Sequence, residues 1–375
     1  MVGYVRPFRW PDRDGPEGPP FQAGQGPAPG APGAGGGAGR AFLGSPDTDR
    51  GGTAPDEPVF AALDLGTNNC RLLVARPRPE GFRVIDAFSR IVRLGEGLGQ
   101  CEQLSEAAMR RTIDALRVCA SKIRKRRVTH ARHVATEACR RARNCGDFVA
   151  RVADETGLEL EIISSREEAE LALAGCAPLL DPARPYALVF DIGGGSTELL
   201  WLKVGPGRTL GLIDWISLPY GVVGLAEREA GPGGAMDWYE GIADEVEALL
   251  APFEARHEIG RHIADGAVQM LGSSGTVTTL AGLYFGLPRY DRVYVDGTHL
   301  DFGAIDQVSR RLATMPPPAR AELPCIGRER ADLVVGGCAI LAAICRTWPV
   351  GSLRVADRGV REGILLGLMR GDARG

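Results

Sequence analysis

Lysine is almost missing from this chain of 375 residues, with only Lys122, Lys125 and Lys203 among its 44 basic residues. The positive charge is therefore nearly all arginine, whose planar fork grips phosphate and carboxylate in a bidentate manner. Other absences narrow the class further. No Cys-x-x-Cys pair occurs among the nine cysteines, and the five histidines lack zinc-binding spacing, so neither a disulfide frame nor a zinc site is expected. No run approaches the roughly 20 apolar residues that a membrane helix needs. The opening, MVGYVRPFRWPDRDG, has no apolar core of a secretion signal, and the expected location is the cytoplasm. A net charge of −3 argues against a general nucleic-acid binder.

What is abundant is glycine, with 51 residues, and its placement is informative. Residues 1–56 are dominated by Gly, Pro and Ala, bury too little to offset their ordering entropy, and are expected to form a disordered tail. The glycines that follow sit in turns. The stretch ALVFDIGGGSTELLWLK, Ala187 to Lys203, reads as a tight hairpin between two buried strands. Asp191 closes the first strand, Gly193, Gly194, Gly195, Ser196 and Thr197 form the bend, and Glu198 opens the second. Glycine lets backbone N–H groups approach a ligand without Cβ interference, and flanking carboxylates suit a phosphate with a divalent cation. The same pattern also serves as a plain structural turn.

An earlier stretch repeats it. In VFAALDLGTNNCRLLVAR, Asp64 falls on Asp191, Gly66 on Gly193, and Leu72-Leu73 on Leu199-Leu200. Thr67 and Asn68 fill the first turn. A repeated strand, Asp-x-Gly turn and strand implies two similarly folded domains facing each other across a cleft.

Strands and helices alternate through the rest, so the class is α/β. Ser105 is placed to cap a helix carrying Met109, Ile113, Leu116 and Ala120 on one face, which ends in the basic cluster Arg124 to Arg127. Arg140 follows a strand in a polar segment and is a candidate phosphate clamp. Ser164-Ser165-Arg166-Glu167-Glu168 opens another helix, where two readings of Glu168 stand. In one it belongs to a capping box, and in the other it is a general base for water. Asp237 is expected to cap a helix with Trp238, Ile242, Val246, Leu249 and Phe253 on one face. A third turn, Gly272, Ser273, Ser274, Gly275 and Thr276, leads from a strand into a helix N-terminus that favours anions. No Cys-His or Ser-His arrangement suits covalent catalysis, which leaves activated water as the mechanism these residues support.

Six segments, in order over roughly 57 to 370, give the chain its resemblance: VFAALDLGTNNCRLLVAR, VATEACRRARNCGDFVARV, LELEIISSREEAELALAG, ALVFDIGGGSTELLWL, LGSSGTVTTLAGL and VADRGVREGILLG. Together they resemble the Ppx/GppA family of exopolyphosphatases and guanosine pentaphosphate phosphatases. The resemblance implies two actin-like domains of the ribonuclease H-like, sugar kinase/Hsp70/actin superfamily, domain I over 57–173 and domain II over 174–375. It leaves the final helix, 359–370, free to pack back on domain I. It implies removal of a terminal phosphate with Mg²⁺, from inorganic polyphosphate first or from pppGpp of the stringent response as the alternative. A superfamily phosphotransferase and a non-catalytic alarmone or polyphosphate sensor rank behind both.

Carried over by motif, Glu168 is the base, while Asp191 and Glu198 hold the metal and orient water. Asp64, Gly66, Thr67 and Asn68 line the opposite wall. Arg140, the amides of Gly193 to Ser196 and the turn Gly272 to Thr276 bind phosphate. Glu170 stands where the family usually has Arg. The chain ends soon after the DRGVREG segment, as in the short, two-domain form. Neither nucleic acid nor membrane is expected as a partner, and the resemblance is compatible with a homodimer.

Overall fold

The computed structural model describes residues 57–228 and 234–372, so the tail expected over residues 1–56 lies outside the described residues. Eleven strands form two sheets among the described residues. The first sheet contains β1 (Phe60–Leu65), β2 (Asn69–Arg78), β3 (Gly81–Ile91), β4 (His130–Ala135) and β5 (Glu161–Ile162), in the order β3-β2-β1-β4-β5. The second contains β6 (Tyr186–Ile192), β7 (Thr197–Val204), β8 (Leu210–Leu218), β9 (Val268–Ser274), β10 (His299–Asp301) and β11 (Ser352–Ala356). Its order is β10-β11-β9-β6-β7-β8. Read from the hairpin side, β8-β7-β6-β9-β11 repeats β3-β2-β1-β4-β5, with β10 added at the edge. Each sheet opens with two antiparallel hairpins and then turns parallel.

Strand alternation decides where the site falls, because successive side chains point to opposite faces. In β1, Ala61, Leu63 and Leu65 join the core beneath the helices Glu106–Lys125 and Cys145–Thr156. Phe60 and Ala62 join the opposite core with Ala172, Val360 and Ile364. Asp64 shares that second face. In β6, Leu188, Phe190 and Ile192 enter the large core of the second sheet, while Ala187 and Val189 pack with Ala169 and Cys176. Asp191 follows the latter set. Both aspartates therefore end central strands on the face turned toward the helix Ser165–Cys176, which sits between the sheets.

A second helix, Val360–Asp372, packs beside it at close range. A Cβ on Gly175 would lie 2.2 Å from the Gly359 carbonyl oxygen, and one on Gly363 would lie 2.0 Å from that of Leu171. Any larger residue at either point would force the pair apart.

Two local expectations need correction. The helix Ala235–His257 begins before Asp237, with Gly234 at its cap. Its buried face runs through Tyr239, Ile242, Val246, Leu250 and Phe253, leaving Leu249 exposed. No helix among the described residues is long and apolar enough to cross a membrane.

Candidate active site

The two Asp-x-Gly turns close in the same way. Gly66 N–H donates to the Asn69 carbonyl at 2.9 Å, and Gly193 N–H to that of Ser196 at 2.9 Å. The amide of Gly193 is thus used within the turn, whereas those of Gly194, Gly195 and Ser196 meet no backbone acceptor among the described residues. Their peptides are held from behind, since Val222 and Val223 donate to the carbonyls of Gly193 and Gly194 at 3.1 and 2.9 Å. Gly221 makes that close approach possible, because a Cβ there would sit 2.4 Å from the Gly194 carbonyl carbon. The turns also touch each other. A Cβ on Gly194 would lie 2.9 Å from Asn68 N, and one on Gly195 would lie 2.7 Å from Thr67 Oγ1.

The residue facing each aspartate across its hairpin differs. Asp64 pairs in register with Arg71, and Asp191 with Glu198. Cross-strand partners share a face, so the second hairpin places two carboxylates side by side. Glu198 Oε1 accepts the hydroxyls of Ser196 (2.7 Å) and Ser217 (2.9 Å), leaving Oε2 uncommitted.

Glu168 projects from the first turn of the helix between the sheets. The cap of that helix is Ser164, whose Oγ accepts from Glu167 N–H at 3.2 Å. The side chain of Glu167 turns away to Arg132, 2.5 Å distant. Glu168 takes no part in the cap, so its capping alternative does not hold. Its Oε2 lies 2.9 Å from Arg140 Nη2. Arg140 also donates to Glu137 Oε2 and to the Ile163 carbonyl, at 2.9 to 3.0 Å. It braces two carboxylates and does not form part of the cleft wall.

Burial raises the carboxylates. The Glu168 carboxyl is pushed up to about 8, by loss of solvent first and then by Glu198. Asp191 rises to about 7 through burial and the charge of Glu168, and Glu198 to about 7 chiefly through burial. Asp64 is raised by burial as well, with Arg71 and Arg361 pulling the other way.

These groups surround a cleft of about 740 Å³ between the two sheets. Asp64, Gly66, Thr67, Asn68, Glu168, Asp191, residues 193–196 and residues 273–276 line it. Gly272 and Glu198 lie behind the wall, Glu198 against a water-sized cavity of about 10 Å³ that Glu168 and Asp191 share. In the third turn Ser274 is an ordinary helix cap for Val277 N–H (3.0 Å), and Ser273 donates to the Arg358 carbonyl at 2.7 Å. Thr67 Oγ1, Asn68 Oδ1 and Asn69 Oδ1 are buried at the cleft without a hydrogen-bond partner. Such atoms cost free energy unless a ligand or water satisfies them.

Six cleft arginines escaped the sequence reading: Arg71, Arg90, Arg328, Arg330, Arg358 and Arg361. Arg71 was discoverable, because the repeat aligns it with Glu198. Arg330 lies in a loop of no regular pattern. The cluster Arg124 to Arg127 ends its helix near Thr129, which donates to Val59 at the opposite end of β1 from the cleft. Asp86 engages Arg126 there, along with Lys122.

Among the described residues, no group of three or more His, Cys, Asp or Glu is arranged to hold a metal ion. Mg²⁺ needs fewer, since it keeps several waters and takes one or two carboxylates together with substrate phosphates. Asp191 suits that role, as a desolvated carboxylate on the cleft wall with no hydrogen-bond donor among the described residues. Glu198 fits through its one uncommitted oxygen.

The architecture is a duplicated α/β sheet with an arginine-bearing cleft between the copies. The chain matches the model of the Ppx/GppA phosphatase family over residues 73–371, and it belongs to that family. It is similar to the Aquifex aeolicus family member at 28% identity and a TM-score of 0.69, over 84% of this chain and 98% of that one. An exopolyphosphatase-like protein matches at 27% identity and a TM-score of 0.74, over 83% of this chain and 98% of that one. An exopolyphosphatase from Cytophaga hutchinsonii, at 21% identity, shares the fold with a TM-score of 0.74, over 84% of this chain and 98% of that one. The chain is therefore a phosphatase of a family that hydrolyses phosphoanhydride bonds.

Proposed function

We propose that the protein is an exopolyphosphatase that releases orthophosphate from the end of inorganic polyphosphate. The observation that carries this reading is the convergence of Glu168, Asp64, Asp191 and the free amides of the second turn on one arginine-bearing cleft. Glu168 takes a proton from water, the water oxygen forms the new P–O bond, and the bridging P–O bond breaks. A carboxyl poised near pH 8 by burial is a competent general base at neutral to mildly alkaline pH. The amides of Gly194, Gly195 and Ser196 receive phosphate oxygens, as do those of Gly275 and Thr276 at the head of the helix Gly275–Tyr284. Arg140 holds Glu168 and Glu137 in place. Mg²⁺, held by Asp191 and Glu198, would neutralise phosphate charge and polarise the scissile bond.

A second reading, pppGpp as the substrate, is favoured by one feature. Tyr290 lines the cleft at 37% exposure, its hydroxyl fixed to Asp357 Oδ2 at 2.5 Å, and brings to it an aromatic ring, a group that suits a nucleobase and that polyphosphate does not need. Phosphate release from polyphosphate of several lengths and from pppGpp, with and without Mg²⁺, separates the two. Mg²⁺-dependent release from polyphosphate is expected, falling about 1,000-fold in Glu168→Gln. Wild-type protein that releases phosphate from neither would overturn the reading.

A further inference from the structure

We propose that Arg361 is a catalytic residue, which binds the substrate phosphate on the cleft floor beside Asp64 and offsets charge on the transferred phosphoryl group. The inference rests on the reading of the cleft as a phosphoanhydride site and adds a residue to its chemistry.

Arg361 stands in the first turn of the helix Val360–Asp372, where that helix meets the cleft. Its guanidinium has neither a hydrogen bond nor an ion pair within 4 Å among the described residues, although burial is the chief influence on it and lowers its pKa. Arg71, a like charge, lowers it further, while Glu362, Asp64 and Asp357 act only at a distance. A desolvated, unpaired cation is costly, and a second cation nearby makes it more so. The fold nevertheless holds it there with care. Glu362, 3% exposed, accepts Gly359 N–H at 3.0 Å and Arg292 Nη2 at 3.1 Å, so it is not free to pair with Arg361. Asp296 takes Asp357 N–H and Arg358 Nε at 3.0 and 2.8 Å. Ser273 and Cys176 both donate to the Arg358 carbonyl.

The nearby acids are thus committed elsewhere: Glu362 and Asp296 fix the backbone that presents Arg361, Asp357 accepts the Tyr290 hydroxyl and lies 3.6 Å from Arg292, and Asp64 stands opposite Arg71. Ser273 of the second sheet, Cys176 and Asp296 anchor that backbone, and Asp64 and Arg71 of the first sheet act on the guanidinium from a distance. A bidentate anion is what such a fork lacks, and phosphate is the anion this cleft takes.

The test combines stability and turnover in Arg361→Met, which keeps length and removes charge. Without ligand, its Tm is expected to equal or exceed that of the wild type, because a half-buried, unpaired charge is gone. Orthophosphate should raise the wild-type Tm and leave the variant unmoved. The kcat is expected to fall about 100-fold, with KM for long polyphosphate changing far less and added guanidinium restoring part of the rate. Arg361→Lys, which keeps charge but loses the fork, should fall in between. Wild-type kcat together with a wild-type phosphate shift in Arg361→Met would overturn the assignment. So would a ligand-free Tm lowered by several degrees in both variants, which would mark a structural role. A wild-type protein that shows the Arg361-dependent phosphate shift yet hydrolyses neither polyphosphate nor pppGpp would remove the functional reading and the catalytic role with it, leaving Arg361 as a phosphate-binding residue alone.

Discussion

The two Asp-x-Gly hairpins have the same backbone and opposite chemistry. Each ends a central strand, closes through a 2.9 Å glycine N–H bond, and turns its aspartate toward the helix between the sheets. Across the first hairpin, however, Asp64 meets Arg71, and across the second Asp191 meets Glu198. The first turn carries the side chains of Thr67 and Asn68, and the second offers bare glycine backbone. One copy therefore presents a balanced charge pair and orphaned polar side chains. The other presents surplus negative charge and free amides, which suit a cation and the phosphate that comes with it. Duplication supplied the geometry, and single residues at one register position divided the labour.

Breaking the acid of each copy should expose that division most strongly. Asp191→Asn is expected to lower kcat by about 1,000-fold and to abolish the response to Mg²⁺. Asp64→Asn, whose partner is a cation on the same hairpin, should cost nearer tenfold and leave the Mg²⁺ requirement intact. Mg²⁺ titrations of phosphate release in both variants decide it, and equal losses would mean the copies are chemically equivalent.

The glycines provide a geometric version of the same contrast. A methyl at Gly194 meets Asn68 N at 2.9 Å and Thr67 Cβ at 3.0 Å in the first turn, so Gly194→Ala must wedge the two turns apart. At Gly66 the nearest atom is Asn69 O of the same turn, 3.6 Å away, an ordinary contact. Gly194→Ala should reduce kcat/KM by about 100-fold, since misplacing groups by an ångström has effects of that size. Gly66→Ala should stay within a few-fold of wild type. Steady-state kinetics of the pair, alongside Tm, would refute the closure contact if the two behaved alike.

Much of this site was legible in the sequence, and the reasons are specific. The repeat placing Asp64 over Asp191 is a local pattern, visible as two apolar runs around a glycine turn. The helix start at Ser164 was legible too, but not which glutamate it released. Spacing allows Ser164 with Glu167 or Ser165 with Glu168; in the structure Ser164 caps the Glu167 N–H and neither glutamate side chain closes the box, Glu167 going to Arg132 and Glu168 to Arg140. Arg140 reads as a phosphate clamp beside its strand, yet it is consumed by Glu137, Glu168 and Ile163, contacts that span the fold. Arg330 carries no local signature at all. Its place in the cleft depends on how a loop that follows the second sheet's helices meets the first sheet.

A milder substitution sharpens the comparison at the register position itself. Glu198→Gln keeps the shape and removes one of the crowded charges. The ligand-free protein should become more stable by a few degrees in Tm, as desolvated carboxylates no longer repel. At the same time the stabilisation conferred by Mg²⁺ should shrink. Thermal unfolding with and without the metal reads both effects, and a lower ligand-free Tm would show that the hydroxyl bonds of Ser196 and Ser217 outweigh the repulsion.

The smallest effect expected is a pH dependence with opposite signs in two places. Burial and mutual repulsion raise Asp191 and Glu198 to about 7 and Glu168 to about 8, from an ordinary range near 4. A raised carboxyl binds its proton more tightly in the folded protein. Its contribution to stability is complete below about pH 4 and is lost as pH climbs through 7 to 8. On the surface, away from the cleft, Arg228 and then Tyr220 hold Glu245 down to about 2, so its contribution is present above about pH 4 and lost toward pH 2. Metal-free protein should therefore lose Tm between pH 5 and 8.5, while Glu168→Gln and Glu198→Gln flatten that slope and Glu245→Gln leaves it unchanged. A slope as steep in both cleft variants as in the wild type would mean that the acids of the second hairpin titrate no differently from those of the surface, and the contrast between the two copies would lose its electrostatic basis.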